Sequence, residues 1–256
     1  MAESISRIRK RIGVQTMTLD ELRKYLNQLS LSLKEDDRNM LNARLNGLVS
    51  RFPFNEYEFI LMFLRDKQMI TFNEYGKLRD KYVSTNKYLD LFELAPRIFG
   101  QIWGEKHIKD LDNRFEKPNK NLDPQYDGAY DLWIQDFKVE IKACRAYDED
   151  KKGSLVSKAL HYGSDKHFWM NFQQLKPDTC DVLIFIGVWT DKVVYWLLSS
   201  NEAKSSPYIS HQHRGGIEYQ IGITEKNIKE FDQYIADASR IGDLVIEKAT
   251  AANESI

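Results

Sequence analysis

Cysteine is scarce in this chain of 256 residues. Cys144 and Cys180 are the only two, too few for a disulfide framework, and they are expected to stay reduced in a cytosol. Long apolar runs are missing as well. None approaches the roughly 20 residues that a membrane-spanning helix needs, and the first residues, Met1 to Arg7, lack the apolar core of a signal peptide. Neither sign of charge prevails: 37 Lys and Arg stand against 38 Asp and Glu, a net charge of -1. That excludes a uniformly basic nucleic-acid coat, so any contact with a polyanion must come from a local basic surface. No Gly-rich phosphate loop, nucleophile elbow or cysteine–histidine constellation is present, which removes several common α/β enzyme chemistries. What remains is a soluble, cytoplasmic protein long enough to bury a proper core.

The richest segment runs from Tyr130 to Ala143. It reads as two short strands joined by a turn at Gln135-Asp136. Asp131 opens the first strand. Glu140 and Lys142 are two apart on the second, so their side chains leave from one face, while Val139 and Ile141 suit burial on the other. A half-buried strand that spends a face on a carboxylate and an ammonium needs a reason, since unpaired charges there are costly. Two convergent carboxylates can hold a hard divalent cation, and a nearby lysine can position water or stabilise phosphate charge.

Asp131 with Glu140-Ile141-Lys142 resembles the PD-(D/E)XK nuclease superfamily, whose best-known members are type II restriction endonucleases. The proline that often precedes the first acid is replaced by Tyr130. A second candidate, Asp127 in Pro124-Gln125-Tyr126-Asp127, lies farther from Glu140. The resemblance implies Mg²⁺ held by Asp131, Glu140 and the Ile141 carbonyl, and Lys142 acting on the attacking water. It also implies a homodimer cutting double-stranded DNA in a prokaryotic cytoplasm and leaving 5′-phosphates. Superfamily members place a glutamate on a helix ahead of the hairpin, and Glu93 resembles it. A nuclease of repair or recombination with the same core, and a DNA-binding protein that no longer cuts, are the alternatives.

The expected organisation is an N-terminal helical subdomain, residues 1–86, and a catalytic domain, residues 87–256. The fold class is α/β, a restriction-endonuclease-like mixed sheet flanked by helices. Residues 1–15 are basic (Arg7, Arg9, Lys10, Arg11). Four short helices follow, around Leu22 to Leu29, Glu35 to Arg51, Glu56 to Arg65, and from the Thr71-Phe72-Asn73-Glu74 cap to Tyr82. Leu89 to Trp103 reads as one amphipathic helix with Pro96 in a first turn or kink, and His107 to Asp123 as a loop or irregular strand.

After the hairpin the chain turns basic. Between Lys138 and Lys176, eight Lys and Arg face five acids, and Arg145, Lys151, Lys152 and Lys158 are candidate DNA contacts. His167 to Leu175 reads as a short helix, and Gln173 or Gln174 resembles the polar helix residue that flanks the active site in many superfamily members. Asp181 to Trp189 is apolar and β-branched, the mark of a central strand buried on both faces, and Val193 to Leu198 supplies the next, edge strand. His211, Gln212, His213 and Arg214, beside paired glycines, are suited to base readout in a major groove. Too few further His or Cys stand at ligand spacing for zinc. Ile223 to Ile241 reads as a terminal amphipathic helix, with a loose tail after Thr250.

Overall fold

The computed structural model describes residues 19–46, 56–211 and 218–254. Arg7, Arg9, Lys10, Arg11, Gln212, His213 and Arg214 lie outside the described residues. The chain divides into two compact units, one made of the residues up to Glu93 with Gly153–Ser157, the other of residues 94–152 and 158–256.

The first unit is helical: α1 (Leu19–Leu31), α2 (Glu35–Asn46), α3 (Glu56–Asp66) and α4 (Phe72–Thr85). Leu22, Leu26 and Leu29 recur at helical spacing and are buried, as are Ile60, Leu61 and Leu64 on α3. The start of α4 is a closed capping box. Thr71 Oγ1 accepts from the Glu74 N–H, and Glu74 Oε2 accepts from the Thr71 N–H at 2.8 Å. A buried carboxylate, Glu58, takes the Tyr75 hydroxyl at 2.6 Å and the Arg79 guanidinium at 3.2 Å.

The second unit is built on two sheets. The larger has the strand order β1 (Leu132–Ile134), β2 (Phe137–Arg145), β4 (Val182–Val188), β5 (Val193–Ser199), β8 (Ile235–Ala236); the smaller is β3 (Trp169–Leu175), β7 (Tyr219–Thr224), β6 (Ile209–His211). β1 and β2 form the expected hairpin, β4 runs parallel to β2, and β5 returns antiparallel to β4. All seven residues of β4 are buried, as a central strand of this composition should be. Gly187 on β4 is required by close packing, because a Cβ there would sit 2.6 Å from the Trp196 ring and 2.9 Å from that of Trp189. The inner face of the small sheet packs on the large one through Phe172, stacked on Phe185 with centroids 4.4 Å apart.

Four expectations are corrected. Residues 169–175 form strand β3 and not a helix: Met170 and Phe172 point inward in alternation, and Phe172 pairs with Ile221. β5 is not an edge, since Tyr195 and Trp196 pair with Ala236 and Ile235. The stretch 89–103 is divided into a 3₁₀ turn, Leu89–Phe92, and a helix that begins at Pro96, where a missing N–H costs nothing. That helix passes through a π-type segment, Ile98–Gly104, and continues as α5 (Glu105–Leu111) into residues expected to be irregular. Residues 223–241 are the end of β7, a 3₁₀ segment Ile228–Tyr234, and β8; the terminal helix is α6 (Ile241–Glu254), which extends past Thr250.

Candidate active site

The hairpin that carries the site is set by its turn. Gln135 (φ 44°) and Asp136 (φ 69°) both occupy the left-handed region, which two-residue hairpin turns of the primed type require. The register then follows as Ile134 opposite Phe137, Trp133 opposite Lys138 and Leu132 opposite Val139. Asp131, one residue before β1, remains in the ladder. Its N–H donates to Val139 O at 3.0 Å, and its Oδ2 accepts the Ile141 N–H at 2.9 Å. That second bond fixes the carboxylate beside the middle of β2.

Glu140 is 5% exposed, and its Oε1 lies 2.5 Å from Lys142 Nζ. Burial pushes the Glu140 carboxyl up to about 7; Lys142 opposes that rise, while the Asp131 charge adds to it. Burial acts to lower the Lys142 ammonium, but Glu140 overrides it, so the lysine stays above its ordinary value and remains cationic at neutral pH. A pair of this kind is a poor way to gain stability, since desolvation consumes the Coulombic attraction. Lys142 lines a polar cleft with Glu140 buried behind it, which marks the pair as a functional candidate.

The cleft has a volume of about 400 Å³. Asp131, Ile141, Lys142 and Cys144 line it from the hairpin side, Arg97, Gln101 and Glu105 from the helix, and Asn171, Gln173 and Gln174 from β3. Glu140 is not on its wall; it reaches the cleft through Lys142 and Asp131. The two glutamines come from an irregularity in β3: the pairing with β7 shifts register between Phe172 and Leu175, and Gln174 has φ 57°. Bulges of this type re-aim side chains, commonly beside active sites.

The helical acid in the cleft is Glu105, which sequence reasoning missed. It pairs with Lys117 at 2.6 Å, and Lys117 Nζ also approaches the Asp131 carbonyl at 3.4 Å. The signal was present: Ile108 and Leu111 continue the apolar spacing of Phe99 and Trp103 past Gly104, which carries the helix to Glu105 and beyond. Glu93 instead closes the 3₁₀ turn in the first unit, is exposed, and is not among the lining residues. Asp127 is exposed and turns its own loop by accepting the Ala129 N–H at 3.1 Å.

The structure spreads the other candidates out. Gln173 is in the cleft. Arg145 is buried, with its guanidinium 4.4 Å over the Phe99 ring and Nη1 donating to Leu94 O at 2.8 Å, so it ties β2 to the helix. Lys151 and Lys152 are exposed in a loop, and Lys158 lies 4.4 Å over the Tyr147 ring. His211 is exposed at the end of β6 against Tyr219.

Among the described residues no cluster of three His, Cys, Asp or Glu is arranged to hold a metal ion. The donors present are two carboxylates, Asp131 and Glu140, and the Ile141 carbonyl. They are hard oxygens, and a cation that takes one or two carboxylates and keeps several waters fits them. The desolvated Glu140 is consistent with that chemistry, because a cation beside it would offset the cost of its charge. No protein-family model, no curated protein and no solved structure matches this chain. No helix among the described residues is long and apolar enough to cross a membrane.

Proposed function

We propose that this protein is a metal-dependent endodeoxyribonuclease of the PD-(D/E)XK type, acting as a type II restriction enzyme on double-stranded DNA inside a prokaryotic cell. The observation that carries the reading is the desolvated Glu140–Lys142 pair next to Asp131 at the edge of a polar cleft. The chain order supports it: a helix, a hairpin bearing the acids and lysine, a buried strand parallel to β2, then an antiparallel neighbour. The second helix of the family pattern is absent from its expected place, where β3 stands.

Asp131, Glu140 and the Ile141 carbonyl would hold Mg²⁺. When bound, that ion supplies a Lewis acid for the phosphate and lowers the pKa of water. Asp131 is held in position by the Ile141 N–H. Lys142 would orient or activate the attacking water and balance charge on the phosphate. Gln173 and Gln174 offer neutral donors to phosphate or sugar oxygens from the opposite wall. A homodimer would present two such sites to the two strands of a palindromic sequence.

The test is incubation of an end-labelled duplex of known sequence with Mg²⁺ or EDTA. The expected result is discrete, Mg²⁺-dependent products carrying 5′-phosphates. Cutting confined to branched or flapped substrates would assign the site to a structure-specific nuclease. Intact DNA that still shifts on a gel would assign the chain to binding without cleavage.

A further inference from the structure

The outward face of β3 continues beyond the cleft. Asn171 stands beside the active strand, where Cys144 Sγ donates to its backbone oxygen at 3.2 Å. Its Nδ2 donates to Gln220 Oε1 at 3.1 Å, and Gln220 Nε2 donates to Ser210 Oγ at 3.2 Å. One chain of hydrogen bonds therefore crosses all three strands of the small sheet. Asn171 Oδ1, in contrast, is buried and accepts no hydrogen bond among the described residues. A desolvated carbonyl oxygen without a donor is costly to keep, and beside a cleft it is a position that a ligand N–H completes.

The rest of the surroundings indicates which ligand. On the same face Trp169 is 47% exposed and lies over Gly222, where a Cβ would come within 2.6 Å of the indole nitrogen. This wall is uncharged and rich in amides. The opposite side carries an excess of cations: Arg97 lines the cleft, and Lys106, Lys109 and Lys117 line a second depression that shares Gln101 and Glu105 with it, Lys106 paired there with Asp110 and Lys117 with Glu105. Duplex DNA makes the same division, with phosphates that need charge and base edges that need matched donors and acceptors.

We propose that Asn171 is a base-reading residue. Its Oδ1 accepts a hydrogen bond from the exocyclic amino group of one base, adenine N6 or cytosine N4, in the major groove, while Gln220 and Ser210 hold the amide in place. This deepens the nuclease reading and rests on it. It also assigns specificity to strand β3.

The experiment is selection of bound duplexes from a random-sequence pool, with Ca²⁺ replacing Mg²⁺, for wild type, Asn171→Ala and Gln220→Ala. Wild type is expected to enrich one motif. Asn171→Ala should lose preference at a single base pair of it, by roughly ten- to a hundredfold, with the other positions unchanged. Gln220→Ala should weaken the same position by less, and it carries the test if Asn171→Ala does not fold. Wild type binding duplexes without sequence preference, or folded variants that keep every preference, would overturn the proposal. Wild type that enriches a motif but leaves it uncut in Mg²⁺ would overturn the nuclease reading and leave Asn171 as a base reader. Failure to bind any duplex would overturn both.

Discussion

One hairpin carries two acid–lysine clusters, and they have opposite electrostatics. Near the turn, Asp123 accepts from the Gln125 N–H at 2.9 Å, the Tyr130 hydroxyl at 2.9 Å and Lys138 Nζ at 3.2 Å. Burial works against that carboxylate, yet these donors together hold it below the ordinary range. Farther along β2, Glu140 has Lys142 as its ion-pair partner, and burial lifts it to about 7. Each pairs a carboxylate with a lysine of β2. The difference lies in how many donors each acid receives: Asp123 closes a structural network, while Glu140 is left short, in the state a bound cation would relieve.

Variants can break or sharpen that contrast. The largest effect is expected from Glu140→Gln, which should lower Mg²⁺-dependent cleavage by about a thousandfold or more, the scale of losing a principal transition-state group, while the melting temperature at neutral pH falls because the largely buried Lys142 ammonium loses its partner. A folded Glu140→Gln enzyme that cuts normally would remove the distinction between the clusters. Glu105→Gln should act next, lowering cleavage by about tenfold, the scale of a supporting residue around a metal; single-turnover rates at saturating Mg²⁺ would show it, and an unchanged rate would make the Glu105–Lys117 pair structural.

The two acids should also give opposite stability slopes with pH in metal-free protein. Glu140 is raised above its ordinary 4.5, so its contribution is present in acid and is lost as pH rises toward about 7. Asp123 is depressed, so its contribution is present above the ordinary carboxylate range and is lost as pH falls through its lowered folded value. Denaturation midpoints in EDTA between pH 4.5 and 7 should therefore fall for wild type relative to Glu140→Gln; parallel curves would contradict the desolvation argument. The smallest effect belongs to Tyr130→Phe, which removes one donor from Asp123. It should cost about 1 kcal/mol of stability in urea titration and leave cleavage intact.

Much of this architecture was legible wherever one period dominated. The Thr71–Glu74 cap, the leucines of α1, the Gln135–Asp136 turn and the apolar run of β4 each point to a single structure. β3 misled because Phe168, Phe172 and Leu175 also satisfy a helical i, i+4, i+7 stripe. The bulge at Gln173–Gln174 brings Leu175 back to the inner face, which strict alternation would have denied it. Ile228, Phe231 and Tyr234 are spaced by three, the period of the 3₁₀ segment they form, a spacing that an amphipathic α-helix also allows. At the site, Asp131, Glu140 and Lys142 were readable because a short hairpin fixes their register locally. Glu105 stands on a helix whose continuation past Gly104 the apolar spacing signals, but its place in the cleft, like that of Asn171, is set only by the packing of a helix and a second sheet against β2.

The most direct measurement is cleavage of one plasmid of known sequence, in Mg²⁺, by wild type, Glu140→Gln and Tyr130→Phe side by side. Discrete fragments from wild type and Tyr130→Phe, with intact plasmid from Glu140→Gln, are the predicted result. Fragments from all three, or from none, would contradict the claim that the Glu140 end of this hairpin is a metal-dependent phosphodiesterase site.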